Sequence, residues 1–585
     1  MNYPIWEIPA PGLLIALVAV IHVFISHFAV GGGLFLVLAE RRARRENDPA
    51  FLDYVKRLSR FFVLVTLVLG ASTGVGIWFT IGLVNPQATS SLINIFIWGW
   101  AIEWTLFVTE VAAALVYFYG WDRMPARTHM IIGWIYFWTA WMSLVVINGI
   151  ITFMLTPGAW VTTRNFWDGL FNPTYFPSLF ARTFVAIGLA GLYALFVAAG
   201  SRDRQLKKKV GRYAGRWILA MAVAGPISLL WYLQSAAAAG IPVGSSLGSR
   251  GQGYAAALKA ALTLDETSGY PTAQLGFFLS VATSLLILFL TLVLLLVRRE
   301  KFGRLLTGSL LFLGLLAMAG GEWIREDLRK PFVLGRYMFV NGVRLPPPEG
   351  IPGPPPGVEI PKDRFTVDAL NRTGVLAASR WYESPLYRLD RPDDEDPELW
   401  NIDRQAIVGQ AVFKQLCSIC HSVDGYNGIR LFVKDQKLGG LELILKRLAR
   451  VVDRDGETVP WSEWHAPGNR IKTWRSRRMP PFVGTPEERR ALAVYLARLA
   501  GSTREEIAAG ARGVALGTQT FEDHCSPCHA ADSEWPIEEL PGRRDSGEFY
   551  DLLGRLEEVN EEMPPFEGTE EERRALAEHL AGLHP

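Results

Sequence analysis

Several features that would point elsewhere are scarce in this chain. Cysteine occurs only four times in 585 residues. No basic patch with interleaved aromatics is present and the formal net charge is +2, so no nucleic-acid partner is implied. The N-terminus, Met1-Asn2-Tyr3-Pro4-Ile5-Trp6-Glu7, lacks the basic start of a secretory signal, so the first apolar run is expected to be retained as a helix. What is plentiful is apolar surface: 50% hydrophobic residues and 20 Trp, against 20% charged residues. The length exceeds one domain, and the contrast resolves along the chain. Nearly all long apolar runs fall before about residue 325, and the remainder reads as soluble.

Eight runs are long enough to cross a bilayer at about 20 residues per crossing. They lie near 12–39, 61–84, 93–120, 129–153, 179–200, 214–234, 273–297 and 304–324. The odd-numbered connections carry the basic residues, among them Arg41, Arg44, Lys56, Arg123, Arg127, Lys207, Lys208, Lys209, Arg298 and Lys301. The even-numbered ones hold only Arg164, Arg182, Arg250 and Lys259. Positive charge favours the cytoplasmic side. The expected topology is a multi-pass protein of a bacterial inner membrane, with the N-terminus and everything after the eighth run outside.

The four cysteines fall into two C-x-x-C-H motifs, Cys417-Ser-Ile-Cys420-His421 and Cys525-Ser-Pro-Cys528-His529. That pattern is the attachment signature of c-type haem: two thiols add to the porphyrin vinyl groups and the next His is placed under the iron. A zinc site would want four thiolates or further His at ligand spacing, and a redox dithiol needs no His after the second Cys. Attachment of c-type haem in bacteria takes place on the outer side, which agrees with the charge-based topology.

The motifs sit inside a longer repeat. Gly409, Phe413, Cys417 and His421 recur as Gly517, Phe521, Cys525 and His529. Arg478-Met479-Pro480-Pro481-Phe482 is echoed by Glu562-Met563-Pro564-Pro565-Phe566, and each is followed by Gly-Thr and a helical pattern. Thr485 with Glu488, and Thr569 with Glu572, have capping-box spacing. The order of helix, C-x-x-C-H, Met-Pro loop and last helix resembles the class I cytochrome c fold. The resemblance implies Met479 and Met563 as sixth ligands opposite His421 and His529, with a raised potential from the soft thioether. A spacer over 331–400 includes the proline-rich stretch 346–356. It reads either as a passive linker or as a semi-rigid strap that sets a distance.

Within the apolar region the titratable residues are few: His22, His27, Glu103 and Glu110, with Glu322 and Glu326 at a helix end. Such groups are costly in a membrane and mark ligands or proton routes. His22 and His27 share a helix and point about 140° apart at roughly 100° per residue, so they cannot grip one haem together. A bis-His haem held within this chain is disfavoured, and mixed or single ligation is expected.

Here the chain resembles subunit I of the cytochrome bd family of quinol oxidases. Gly31 and Glu40 follow His22 at the family's first-helix spacing, and Glu103 and Glu110 precede Gly120-Trp121-Asp122-Arg123. His129, Asn148-Gly149 and Thr156-Pro157-Gly158 follow in order, and Gly321-Glu322-Trp323-Ile324-Arg325-Glu326 opens a degenerate form of a family motif. The resemblance is good over about the first 160 residues, weak over 160–320 and absent beyond about 335. It implies His22 and Glu326 as ligands of a membrane haem of b or d type, and Glu103 and Glu110 as a proton route. Read from the residues alone, His22 is equally a hydrogen-bonded core His, Glu326 an ion-pair member, and His27 either a second ligand or a buried contact. The chain departs from the family where Val185 replaces an expected His, and where the seventh run and the loop before it lack the Met and the Gln-Pro-x-Lys element of the quinol side.

The expected architecture is all-α: a bundle of about eight spans over 1–330, a linker over 331–400, and two small helical cytochrome c domains over 401–502 and 503–585. The leading functional expectation is a bd-like oxidase in which two covalent haem c groups feed a membrane haem that reduces oxygen or a related oxidant. The rival expectations are a quinol:cytochrome c oxidoreductase running in reverse, and a relay or anchor subunit of a larger complex. Expected partners are other respiratory subunits, a periplasmic cytochrome c or similar redox protein, a membrane quinone in the reverse reading, and lipid.

Replacing Cys420 or Cys528 by Ala is expected to remove about one covalent haem each, because one thiol attaches haem poorly. Haem-stained gels that keep two equivalents in either variant would refute the motif assignment.

Overall fold

In lipid the backbone must satisfy its own hydrogen bonds, and a long apolar run can do so only as a helix. A computed structural model of the chain describes residues 5–6, 8, 11–241, 243, 272–296, 301–346, 365–387, 402–425, 427–434, 436–449, 479–529, 545–559 and 563–583. The proline run after residue 346, most of the loop before the seventh span, Arg478, Glu562 and the side chain of Cys528 lie outside the described residues. Two compact units are present, one from Gly12 to Val340 and one from Asn341 to Pro585.

The first unit holds eight helices long and apolar enough to span a membrane. They are α1 (Pro11–Arg45), α2 (Pro49–Val84), α3 (Ile97–Gly120), α4 (Ala126–Phe153), α5 (Tyr175–Ala199), α6 (Arg204–Ala238), α7 (Thr272–Leu296) and α8 (Arg304–Arg329). The eight expected runs are all there. Helices α2 and α6 begin earlier than hydropathy suggests, because their opening stretches, 49–60 and 204–213, mix charged with apolar residues. Local chemistry starts both. Asp48 accepts from Phe51 N at 2.9 Å with Pro49 at the first helical position, and Asp203 accepts from Gln205 N at 2.8 Å. Residues Leu64–Gly70 of α2 wind as a π-helix.

Helix α5 packs on α6, α7 on α8 and α3 on α4, and α8 returns to α5. Small residues permit the closest crossings, as expected between membrane helices. A methyl group on Gly31 would lie 1.9 Å from the carbonyl oxygen of Ala186, so α1 and α5 meet there only through glycine. Beside this crossing Phe28 stacks on Tyr193 with ring centroids 3.8 Å apart, and Tyr54 donates to Ala194 O at 2.7 Å. Large apolar side chains such as Phe79, Trp98 and Leu305 point outward, as a lipid-facing surface requires.

One polar knot ties α1, α3 and α4. Glu40 is fully buried. Tyr117 donates to its Oε2 at 2.7 Å, His129 Nδ1 lies 2.9 Å from the same oxygen, and Arg44 reaches Oε1 at 2.8 Å. His129 Nε2 faces the Tyr117 carbonyl at 2.8 Å, so both ring nitrogens are engaged. After α8, residues Phe332–Leu334 and Met338–Phe339 form a two-stranded antiparallel ribbon, a small β element that the all-α expectation did not contain. Pro331 cannot continue the helix hydrogen bonding, and the chain turns back over Gly335-Arg336.

The second unit repeats one packing unit twice. Helix α9 (Ile402–Leu416) crosses α11 (Pro486–Leu499), and α12 (Arg504–His524) crosses α13 (Glu570–Leu583). A methyl on Gly409 would sit 2.0 Å from Ala491 O, and one on Gly517 would sit 2.3 Å from Ala575 O. The sequence repeat is therefore a repeat of one close helix crossing. Helix α10 (Leu438–Ala449) packs on α11 and also on α12 and α13 of the other pair, and Lys437 pairs with Glu506 at 2.7 Å.

Glu40→Ala is expected to lower stability by about 3–5 kcal/mol, because it strands a buried imidazole and phenol without their acceptor. Thermal unfolding of the detergent-purified protein would measure this, and a change below about 1 kcal/mol would mean that the knot does not hold the three helices.

Candidate functional site

His22 stands on α1 against the π segment of α2. Its Nδ1 lies 3.1 Å from Thr73 Oγ1, and a backbone hydrogen bond joins the ring to Gly70, the last residue of the π segment. A methyl on Gly74 would come within 3.1 Å of the imidazole Cε1, so α2 presents glycine where the ring needs space. Isolated π turns inside α-helices recur at functional sites. An imidazole with Nδ1 fixed in this way has its orientation set, which is how ligating His are prepared. His27, five residues on, is buried with Nδ1 2.7 Å from its own Val23 carbonyl.

Helices α3 and α4 run antiparallel and meet in three polar rungs at a strict seven-residue step on both. Tyr117 faces His129, with ring centroids 4.1 Å apart. Tyr136 donates to Glu110 Oε1 at 2.9 Å. Ser143 donates to Glu103 Oε1 at 3.2 Å. Sequence reasoning selected the two glutamates. It did not select Tyr136, Ser143 or the Glu40 knot, although counting sevens back from 117 and forward from 129 would have found the partners.

At the end of α8, Glu322 takes Arg325 Nε at 2.9 Å and Arg182 of α5 at 3.1 Å. The sequence reading counted Arg182 as a loop charge, whereas it lies within α5. The available signal was that an Arg and a Glu inside apolar helices need each other. Glu326 pairs with Arg329. Two buried donors here, Arg325 Nη1 and Arg329 Nε, have no hydrogen-bond partner among the described residues. Among the described residues no contact joins His22 to Glu326. The donor types are those that a haem would use: a fixed imidazole, a carboxylate, and guanidinium hydrogens of the kind that propionates would accept.

In the second unit both C-x-x-C-H motifs follow directly on a crossing helix. Cys417 and His421 leave the end of α9, and Cys525 and His529 leave the end of α12. His421 Nδ1 lies 3.2 Å from the Asn427 carbonyl, and burial lowers its pKa below the ordinary histidine value. It is thus a neutral, oriented imidazole, which is what an iron ligand requires. Burial, reinforced by neighbouring Cys420, pushes the Cys417 thiol up to about 12. A redox dithiol depends on the opposite shift. Met479 and Met563 are half-buried on the loops just before α11 and α13, and both expected capping boxes form. The donor set of two thiols, an imidazole and a loop thioether therefore fits covalent haem in each repeat.

Residues 13–241 match the family model of cytochrome bd terminal oxidase subunit I. Among solved structures, the bd oxidase from Geobacillus thermodenitrificans is similar at 17% identity and a TM-score of 0.39, over 56% of this chain and 88% of that one. A search of curated proteins returns no match. The family match covers α1 to α6 and includes His22, Glu40, Glu103, Glu110 and His129. In its N-terminal part this chain is similar to subunit I of cytochrome bd terminal oxidases.

Proposed function

We propose that the chain is the haem-bearing core of a bd-type respiratory oxidoreductase in which two tethered c-type haem sites stand in for quinol as the electron entry. The observation that carries this reading is a combination. A subunit I-like membrane part keeps His22, Glu103 and Glu110 but has Val185 at the quinol-side ligand position, and it continues into two C-x-x-C-H repeats. Cys417, Cys420, His421 and Met479 would hold one haem c, and Cys525, Cys528, His529 and Met563 the other. His22 and Glu326 would hold a membrane haem of b or d type. When bound, these groups would carry single electrons, and the membrane one would pass them to oxygen or a similar oxidant.

The remaining work falls to side chains. Thr73 and Gly70 hold the His22 ring, and Arg325 and Arg329 supply positive charge for an acidic edge. Glu110, accepting from Tyr136, and Glu103, accepting from Ser143, would load and release the protons that oxidant reduction consumes. Positive charge on the odd-numbered connections supports an inner membrane location with residues after α8 outside. There a periplasmic one-electron donor would reach the second unit, and other subunits would complete the complex.

His22→Ala is expected to abolish the CO-sensitive difference spectrum of the membrane haem and at least nine-tenths of oxidant reduction. Both c-type haems should stay covalently bound and reducible by an external donor. Full membrane-haem absorbance and turnover in this variant would sink the ligand assignment.

A further inference from the structure

The two repeats place nearly the same loop in different surroundings. In the first, Pro481, Phe482 and Val483 are buried behind Met479; in the second, Pro564, Pro565 and Glu567 are exposed behind Met563. The burial has an identifiable cause. The segment Val367–Gly374, a short helix and its end, lies across the start of α11. Glu488, only 5% exposed, accepts from Val375 N at 2.8 Å and Leu376 N at 2.9 Å as well as from Thr485 N at 3.2 Å in its own capping box. Asn371 accepts from Gly484 N at 3.0 Å, and Phe482 N donates to the Leu448 carbonyl at 3.0 Å. The loop of Met479 is thus held from three sides. Its counterpart Glu572 receives, among the described residues, only the donors of Thr569.

Charge differs in the same direction. Arg477 and Arg478 precede Met479, whereas Glu561 and Glu562 precede Met563, and Glu567 stands where the first loop has Val483. Helix α13 opens with three acids, Glu570, Glu571 and Glu572, where α11 opens with Pro486 and two, Glu487 and Glu488. A ferric haem carries one more positive charge than a ferrous one. Dry, clamped surroundings disfavour the ferric state and raise the potential, while nearby carboxylates favour it and lower the potential.

On the reading of these motifs as haem c sites, we infer that the Val367–Leu376 strap, through Glu488 and Asn371, makes the Met479 site the higher-potential one of the pair. One electron then passes downhill from ferrous iron at the Met563 site to ferric iron at the Met479 site, with no proton moved and no bond made or broken. Electrons enter at the C-terminal repeat and leave from the one nearer the membrane part in sequence. Glu488 acts here as a positioning residue, since it touches the loop and not the iron.

The test is potentiometric titration of the full-length detergent-purified protein, with haem staining first to count two covalent groups. Fewer than two would overturn the haem c reading itself and not merely the ordering. Met479→His and Met563→His identify the two waves, each lowering its own. The expected result is that the Met479 wave lies higher. Glu488→Gln, which loosens the strap, should weaken the ferric Met–iron charge-transfer band, while Glu572→Gln, which removes one of the acids of α13, should raise the other wave. Asn371→Ala, which changes no charge, should weaken the same band and move the Met479 wave down. The double change Glu562→Arg with Glu567→Val should raise the Met563 wave. A wild-type Met563 wave equal to or above the Met479 wave overturns the inference. So does a Met479 wave and charge-transfer band unmoved in both strap variants.

Discussion

The membrane unit depends on keeping one buried acid satisfied. A carboxylate taken out of water costs several kcal/mol unless its partners are close and well directed. Glu40 finds Tyr117, His129 and Arg44, and those three contacts can be made together only in one register of α1, α3 and α4. With that register set, one heptad along α3 and α4 brings Glu110 to Tyr136, and a second brings Glu103 to Ser143. Along α1, eighteen residues from Glu40 back to His22 span about 27 Å, so the knot and the candidate ligand occupy opposite ends of one helix.

Much of this was legible from residue types and spacing. Apolar run length located all eight spans, because lipid leaves the backbone no alternative. The capping boxes at Thr485 and Thr569 were readable because their chemistry is local. What depended on two helices meeting was not. His129 and Glu40 were both named from the sequence but not paired, since nothing in a single helix says that they will face each other. Arg182 and Glu322 lie on α5 and α8, with two helices between them in the chain, and are paired in space. The starts of α2 and α6 were missed because a stretch that mixes charged with apolar residues carries no hydropathy signal, although Asp48 and Asp203 stand at both as caps.

The second unit shows how a repeat can diverge without losing its motifs. Gly409 and Gly517 preserve the same helix crossing, since any side chain would collide with the opposing carbonyl. The loops that follow are freer to vary. One has been enclosed by a chain segment outside the repeat, and the other has gathered acids around itself. Identical candidate residues can thus be held in different electrostatic settings. The region that a linear reading sets aside as linker includes the piece that makes the difference.

The heptad spacing of α3 and α4 carries one more implication. Seven residues rise about 10.5 Å, whereas a hydroxyl–carboxylate pair bridges about 3 Å of it. Between Tyr117 and Tyr136 lies a cavity of about 10 Å³, walled by Gly33, Val37, Ala114 and Gly133. That is near the lower limit for a single water molecule, in surroundings too apolar to hold one firmly. The rungs are therefore separate polar contacts. On the proposed reading of Glu103 and Glu110 as a proton route, a proton passing from rung to rung would need water to enter such gaps.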